Sequence, residues 1–198
     1  MKQGYLLHGA TQQQAEDAAE RLVISRKDNL FGYHGLTWQL GAVNFEFFNL
    51  YFLQDVFIGP GKAELSDFHH SIWHEIPDLI LNKGSASRKV YICPRGIGKT
   101  TFISQSSAIW SACYKLKRYI MLCSAIGDTA DEFVNNIKLA FNGNERIEKA
   151  FGKLYDPHHY TVNSEIIDLA NEVRIQSISS ASVFRGKNYA NIRPDLVI

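Results

Sequence analysis

The residues best suited to chemistry lie in one short stretch, CPRGIGKTT, residues 93–101. A loop that holds a phosphate chain needs glycine, four free positions and then Gly-Lys-Ser/Thr. Backbone N–H groups then wrap the anion and the lysine reaches its outer phosphates. Gly98, Lys99 and Thr100 stand where that pattern requires, and Cys93 takes the place of its first glycine. A side chain resists backbone angles that glycine adopts freely. Cys93 is small, however, and Gly96 and Gly98 leave the loop free to bend where it must wrap. Lys99 is the candidate partner of the β- and γ-phosphates, and the Thr100 hydroxyl that of a magnesium ion bound with the nucleotide. Arg95 sits inside the loop, where a guanidinium can stabilise charge developing on a transferring γ-phosphoryl group. The plainer reading of Arg95 is a solvated surface arginine.

Such a loop works between a buried strand and a helix, because the helix N-terminus adds its own unpaired N–H groups to the anion site. KVYIC (89–93) reads as the strand. From Lys99 to about Leu116, Phe102, Ile103, Ala108, Ile109 and Ala112 fall among the apolar positions of a helix. RYIMLCS (118–124) is apolar almost throughout, as a strand covered on both faces would be. DTADEFVNNIKLAF (128–141) reads as a helix and NGNERIEKAFG (142–152) as the start of a shorter one. SEIIDLANEVRIQSIS (164–179) divides into two strands around a tight turn at Ala170–Asn171, and RPDLVI (193–198) begins a further strand. Strands alternating with helices predict an α/β fold with a largely parallel sheet flanked by helices and right-handed crossovers.

Upstream, LSDFHHSIWHEIPDLIL (65–81) predicts a helix capped by Ser66 or Asp67, which Pro77 should interrupt or kink. NFEFFNLYFLQDVF (44–57) is dense in aromatics and fits either a buried helix or a docking surface. Thr11 and Gln14 are spaced as a capping box, and Ala15, Ala18, Ala19, Leu22 and Val23 follow at helical intervals. Pro60 between two glycines marks a break. The expected organisation is a leader of residues 1–60 and a main domain of residues 61–198.

The totals exclude several classes. With 45% apolar and 21% charged residues the chain is globular rather than disordered. Its 21 basic and 20 acidic residues leave a formal charge of +1, so a nucleic-acid role must come from local patches. Cys93, Cys113 and Cys123 have no metal-ligand spacing, which predicts reduced thiols in a cytosol-like compartment. MKQGYLLHGA lacks the apolar core of a secretory signal, and no run approaches a membrane span. His70 and His74 share a helix face beside His69, but zinc needs further ligands, and the glutamate is not placed as in His-Glu-x-x-His. Part-buried or surface imidazoles are the expectation. His158 and His159 are expected in a solvated loop, and YKLKRY (114–119) at a solvated helix end rather than on phosphates.

A phosphate-loop enzyme also needs an acidic residue at the end of a second buried strand, to hold magnesium. PDLVI has the character of that strand, so the carboxylates are expected directly after Ile198. Asp195 lies at the strand's beginning, about 10 Å from its end, and is no substitute.

Several of these segments, in order, resemble the large terminase subunits of tailed bacteriophages. PRGIGKT is close to that family's Pro-Arg-Gly-x-Gly-Lys-Ser/Thr, and FFNLYFLQDVF with DFHHSIWHEI is similar to its aromatic stretch and Phe-His helix start. YIMLCSAIGDTADEFVNNIKLAF resembles its strand ending in serine and the helix that follows. FRGKNYANIRPDLVI resembles its Arg-Gly, short loop and Arg-Pro-Asp-Leu before paired acids. The resemblance covers about residues 45–198. It implies a RecA-like P-loop NTPase fold, incomplete at its C-terminal side, that binds ATP and Mg2+. The nucleotide would be held by Pro94, Arg95, Gly96, Ile97, Gly98, Lys99, Thr100 and Thr101. Lys99 and Arg95 would act in catalysis, Thr100 would bind magnesium, and Phe68 and His69 would lie near the adenine. Arg185 and Gly186 match a family position near the ATPase face. The implied partners are double-stranded DNA, further copies in a ring, a portal protein and a small terminase subunit. The setting would be the host cytoplasm and, transiently, the procapsid portal, with no membrane. The paired acids, the coupling motif and the nuclease domain of the family are not in this sequence, so metal-dependent DNA cleavage is not assigned to it. A different ATP-driven translocase such as a helicase, and a nucleotide-binding fragment without turnover, are the other two readings.

Overall fold

The structure, a computed structural model, describes residues 12–25, 27–59, 61–62, 64–82, 87–179 and 186–198. Among the described residues, five helices precede the loop of residues 93–99: α1 (Gln12–Ser25), α2 (Leu36–Val43), α3 (Phe45–Phe52), α4 (Gln54–Phe57) and α5 (Asp67–Leu81). A π-helical turn, Thr100–Gln105, follows the loop and continues as α6 (Ser106–Cys113). Then come β1 (Tyr119–Ser124), α7 (Gly127–Phe141), α8 (Glu145–Phe151), β2 (Ile166–Asp168), β3 (Arg174–Ser179) and β4 (Leu196–Val197). The four strands form one sheet in the order β2-β3-β1-β4. β1 runs parallel to both β3 and β4, and β2 is antiparallel to β3. The protein is therefore mixed α/β, with a small, mostly parallel sheet flanked by helices.

The sheet owes its position to β1. Tyr119, Ile120, Met121 and Leu122 are all buried, as their unbroken apolar run predicts. Ile120 and Leu122 enter the main core with Ile175 of β3 and Val134 and Ile137 of α7. Tyr119 and Met121, pointing the other way, meet Ile178 and Tyr189. The turn between β2 and β3 falls where its sequence places it: Leu169 N–H donates to the Val173 carbonyl (2.9 Å), and Glu172 takes a φ of 65°. Arg174 grips Asp168 through two nitrogens, each at 2.7 Å, with its guanidinium 4.2 Å over the Tyr189 ring. Asp195 begins β4 by accepting hydrogen bonds from the backbone N–H groups of Arg118 and Tyr119, each 2.9 Å long.

The aromatic segment is a buried helix pair. Phe45, Phe48 and Phe52 share one face of α3 and are at most 1% exposed. They pack on Trp73 of α5, Trp110 of α6, Tyr114 and Phe151 of α8. Burial of each phenylalanine contributes about 2–3 kcal/mol. These residues belong to one core with Ile72, Ile76, Ile80, Phe102 and Ile109. At the other end, α1 forms as expected, with Val23 and Ile24 exposed. Thr11, Pro60 and the side chains of Gln14, Ala15, Ala18, Ala19 and Leu22 lie outside the described residues.

Three local expectations are corrected. Residues 89–93 form no strand: the chain from residue 87 is extended, and among the described residues its backbone bonds to no other backbone. Alternate side chains tie it to α5 instead. Ser87 Oγ donates to the Leu79 carbonyl (3.2 Å), Lys89 pairs with Glu75 (2.8 Å), and the Tyr91 hydroxyl donates to Glu75 (3.2 Å). Val90 and Ile92, facing away, are 81% and 95% exposed. Their β-branched side chains favour a strand only where a neighbouring strand and a covered face exist. Pro77 does not end α5, which runs on to Leu81. An internal proline costs about 3 kcal/mol, and burial of Ile72, Trp73, Ile76 and Ile80 on one face of the helix outweighs it. Finally, α6 stops at Cys113, before Leu116, because Lys115 turns into the left-handed region at φ 52°.

No helix among the described residues is long and apolar enough to cross a membrane.

Candidate functional site

The loop between the extended segment and the π turn is shaped by two glycines. Gly96 and Gly98 have φ of 86° and 75°, a region that glycine adopts without a Cβ penalty. A Cβ at either would meet nothing within 4 Å, so backbone conformation, not space, selects glycine there. Two backbone amides early in the helix are already used, since Thr101 and Phe102 N–H both donate to the Gly98 carbonyl (2.8 and 3.0 Å). Among the described residues, the N–H groups of residues 95–98 donate to no backbone carbonyl. Successive amides of this kind form a concave anion receptor.

Lys99 folds over the loop. Its ammonium donates to the carbonyls of Cys93 (3.1 Å) and Pro94 (2.7 Å). Cys93 thus serves the loop through its carbonyl oxygen, which any residue at that position would supply. Arg95 and Pro94 are exposed, and no hydrogen bond or ion pair among the described residues holds the Arg95 guanidinium. Ile97, Thr100 and Thr101 are half-buried.

Two clefts open on this region. The first, about 230 Å³, is lined by His69, Gly96, Ile97, Gly98, Thr101 and Phe102, among others. The second, about 470 Å³, lies between the extended segment and β4 and takes in Lys99, Thr100 and Ile103. The structure thus brings His69 to the loop glycines and sets Lys99 and Thr100 on the second cleft. Phe68 lines neither cleft; it is 42% exposed, its ring 6.2 Å from that of Phe102. Arg185 lies outside the described residues, and the adjacent Gly186 has φ 84°.

The helix α5 holds this region from outside. His69 Nδ1 faces the backbone N–H of Ser66 at 3.1 Å, the return half of a capping box. One turn further on, the Trp73 indole N–H donates to the Phe102 carbonyl at 2.7 Å. In a regular α-helix that carbonyl would take the Ser106 N–H, but in the π turn Ser106 N–H goes to Thr101 and Ile103. The Ser106 hydroxyl supplies the second donor to the Phe102 carbonyl, at 2.7 Å. A side chain inserted into the hydrogen-bond ladder is a recognised cause of such irregularity. Sequence reasoning missed Trp73 and Ser106 because each reads as an ordinary core residue. The usable signal was that Trp73 lies four residues after His69, on the same helix face.

Other candidates settle into structural roles. His70 and His74 hold Glu46 of α3 between them at 2.8 and 3.2 Å, and among the described residues no group of three or more His, Cys, Asp or Glu side chains is arranged so that it could hold a metal ion. Glu46 is 24 residues upstream of His70, so spacing could not reveal it. Lys115 and Arg118 both pair with Glu172 (2.9 and 3.4 Å), which offsets one of the three positive charges in the stretch before β1. His159 pairs with Asp156 at 2.9 Å, and His158 is exposed. The three cysteines are free thiols, and burial pushes those of Cys113 and Cys123 above the usual range.

Comparison of the chain with protein-family profiles, with curated proteins and with solved structures gives no match.

Proposed function

We propose that this chain is the ATP-binding part of a viral DNA-packaging motor of the large-terminase type. The observation that supports it most is the loop itself. Two glycines in the left-handed region shape a run of amides that donate to no backbone carbonyl among the described residues, and Lys99 spans the loop at the head of a helix. Phosphate oxygens are better acceptors for an ammonium than neutral carbonyls, because both partners are then charged. ATP binding would draw Lys99 from Cys93 and Pro94 onto the β- and γ-phosphates, with the amides of residues 95–98 completing the cradle. Arg95, exposed and held by no hydrogen bond or ion pair among the described residues, has the freedom to join them. The half-buried Thr100 offers one hydroxyl toward magnesium, which also takes one or two carboxylates alongside phosphate oxygens. Asp195 stands at the beginning of β4 and is engaged there, each of its oxygens accepting one backbone N–H group. These residues do not make a magnesium site by themselves, so the chemistry assigned to them is phosphate binding. In the full motor, hydrolysis would be coupled to moving double-stranded DNA through a portal, with further copies in a ring and a small subunit for recognition.

The engagement of Asp195 favours one second reading, nucleotide binding without turnover. Titration with a fluorescent ATP analogue tests the shared part. Lys99→Ala is expected to weaken binding about 10- to 100-fold, the worth of a charged hydrogen-bonding group. Equal affinity in the two proteins would remove the phosphate-loop assignment. Phosphate release from ATP then separates motor from binder.

A further inference from the structure

We propose that His69 is a positioning residue for the phosphate loop: it fixes the peptide between Ile97 and Gly98 so that the Gly98 N–H faces the anion. This rests on the reading that the loop binds phosphate, and it adds a residue outside the loop to that site.

The tautomer follows from the partners. Ser66 N–H, 3.1 Å from His69 Nδ1, can only donate, so Nδ1 presents its lone pair, and the Ser66 hydroxyl, 2.8 Å from the same nitrogen, donates to it as well. The neutral ring then carries its proton on Nε2, which lies 3.2 Å from the Ile97 carbonyl oxygen. Nε2–H is therefore the donor and Ile97 the acceptor. The ring packs edge-on against Phe102, 4.6 Å between centroids, so it cannot swing freely.

In a trans peptide the carbonyl and the following N–H lie in one plane and point in opposite directions. Holding the Ile97 carbonyl toward α5 turns the Gly98 N–H away from α5. Glycine at 96 and at 98 makes rotation of the intervening peptides easy, so without a tether this amide would sample both orientations. Trp73, one turn along α5, fixes the Phe102 carbonyl in the same way. The two tethers bracket residues 98–101, which carry the glycine, the lysine and both threonines.

Two neutral substitutions separate positioning from stability. In His69→Gln the carboxamide spans the same acceptor–carbon–donor arrangement as the imidazole and can meet both Ser66 and Ile97. In His69→Asn the shorter amide can still cap Ser66 but does not reach Ile97. Binding of the fluorescent ATP analogue is expected to be retained in His69→Gln. In His69→Asn it should fall about three- to tenfold, the value of one hydrogen bond. The second readout needs no nucleotide: the Gly98 amide resonance of the free protein should be sharp in wild type and His69→Gln. In His69→Asn it should be broadened by exchange. A sharp Gly98 resonance and wild-type affinity in His69→Asn would overturn the proposal. So would equal loss in both variants accompanied by equal loss of thermal stability, since His69 would then be only a helix cap. If wild type itself fails to bind the analogue, the nucleotide reading falls, and the Gly98 resonance alone decides the role of His69.

Discussion

Replacing Trp73 by phenylalanine and Ser106 by alanine, singly and together, tests what holds the π turn behind the loop. Both side chains donate to the Phe102 carbonyl at 2.7 Å, and Phe102 is 2% exposed. Ser106→Ala removes one of two donors and is expected to cost about 0.5–1.5 kcal/mol. Trp73→Phe removes the other and leaves a cavity, together about 2–3 kcal/mol. In either single variant the carbonyl keeps a partner. The double variant leaves it buried without one, which adds about 1–2 kcal/mol beyond the sum of the singles. The cavity is common to both sides of the cycle and cancels. Urea unfolding followed by circular dichroism is the assay, because tryptophan fluorescence itself changes with Trp73. Additivity within about 0.5 kcal/mol would refute the reasoning. It would mean that the helix relaxes to regular α geometry and that Ser106 N–H takes the carbonyl.

Two further outcomes are expected besides those for Lys99 and His69. Asp195→Ala leaves the N–H groups of Arg118 and Tyr119 without their acceptor; it should cost about 1–3 kcal/mol and speed amide exchange in β1 and β4, and unchanged exchange there would count against the anchor. The Asp156 carboxyl is held down to about 2, chiefly by His159 and then by Lys153. Because this value lies below that of an unfolded chain, the stabilisation is complete above the usual carboxylate range and is lost as pH falls toward 2. An NMR titration should show the Asp156 midpoint rising in His159→Ala, and an unmoved midpoint would reject the pairing.

Local patterns reported the fold where one segment carries its own instructions. The apolar run of β1, the turn at Ala170–Asn171 and the period of α7 are of that kind. They failed where a partner distant in sequence decides. Val90 and Ile92 have the composition of a strand, yet among the described residues no other backbone pairs with them. Pro77 reads as a break, yet the burial of four neighbours keeps the helix whole. In the loop, the residue types suggest phosphate chemistry, but spacing carried no sign of the grip of His69 on Ile97 across 28 residues of chain. That bond joins two short motifs whose separation is set by the fold between them.

The extended segment ahead of the loop has a consequence for how this molecule behaves in company. Among the described residues its backbone pairs with no other backbone, and it carries two β-branched side chains, Val90 and Ile92, that are almost wholly in water. Such a stretch is a ready template for an adjacent molecule's backbone. Two positive neighbours, Arg88 and Lys89, lie at its start, and Lys89 is already engaged by Glu75, which weakens the repulsion that guards exposed edges in other proteins. Clustering that begins at this segment, immediately before the glycines, would bury the loop of residues 93–99 while leaving the aromatic core intact.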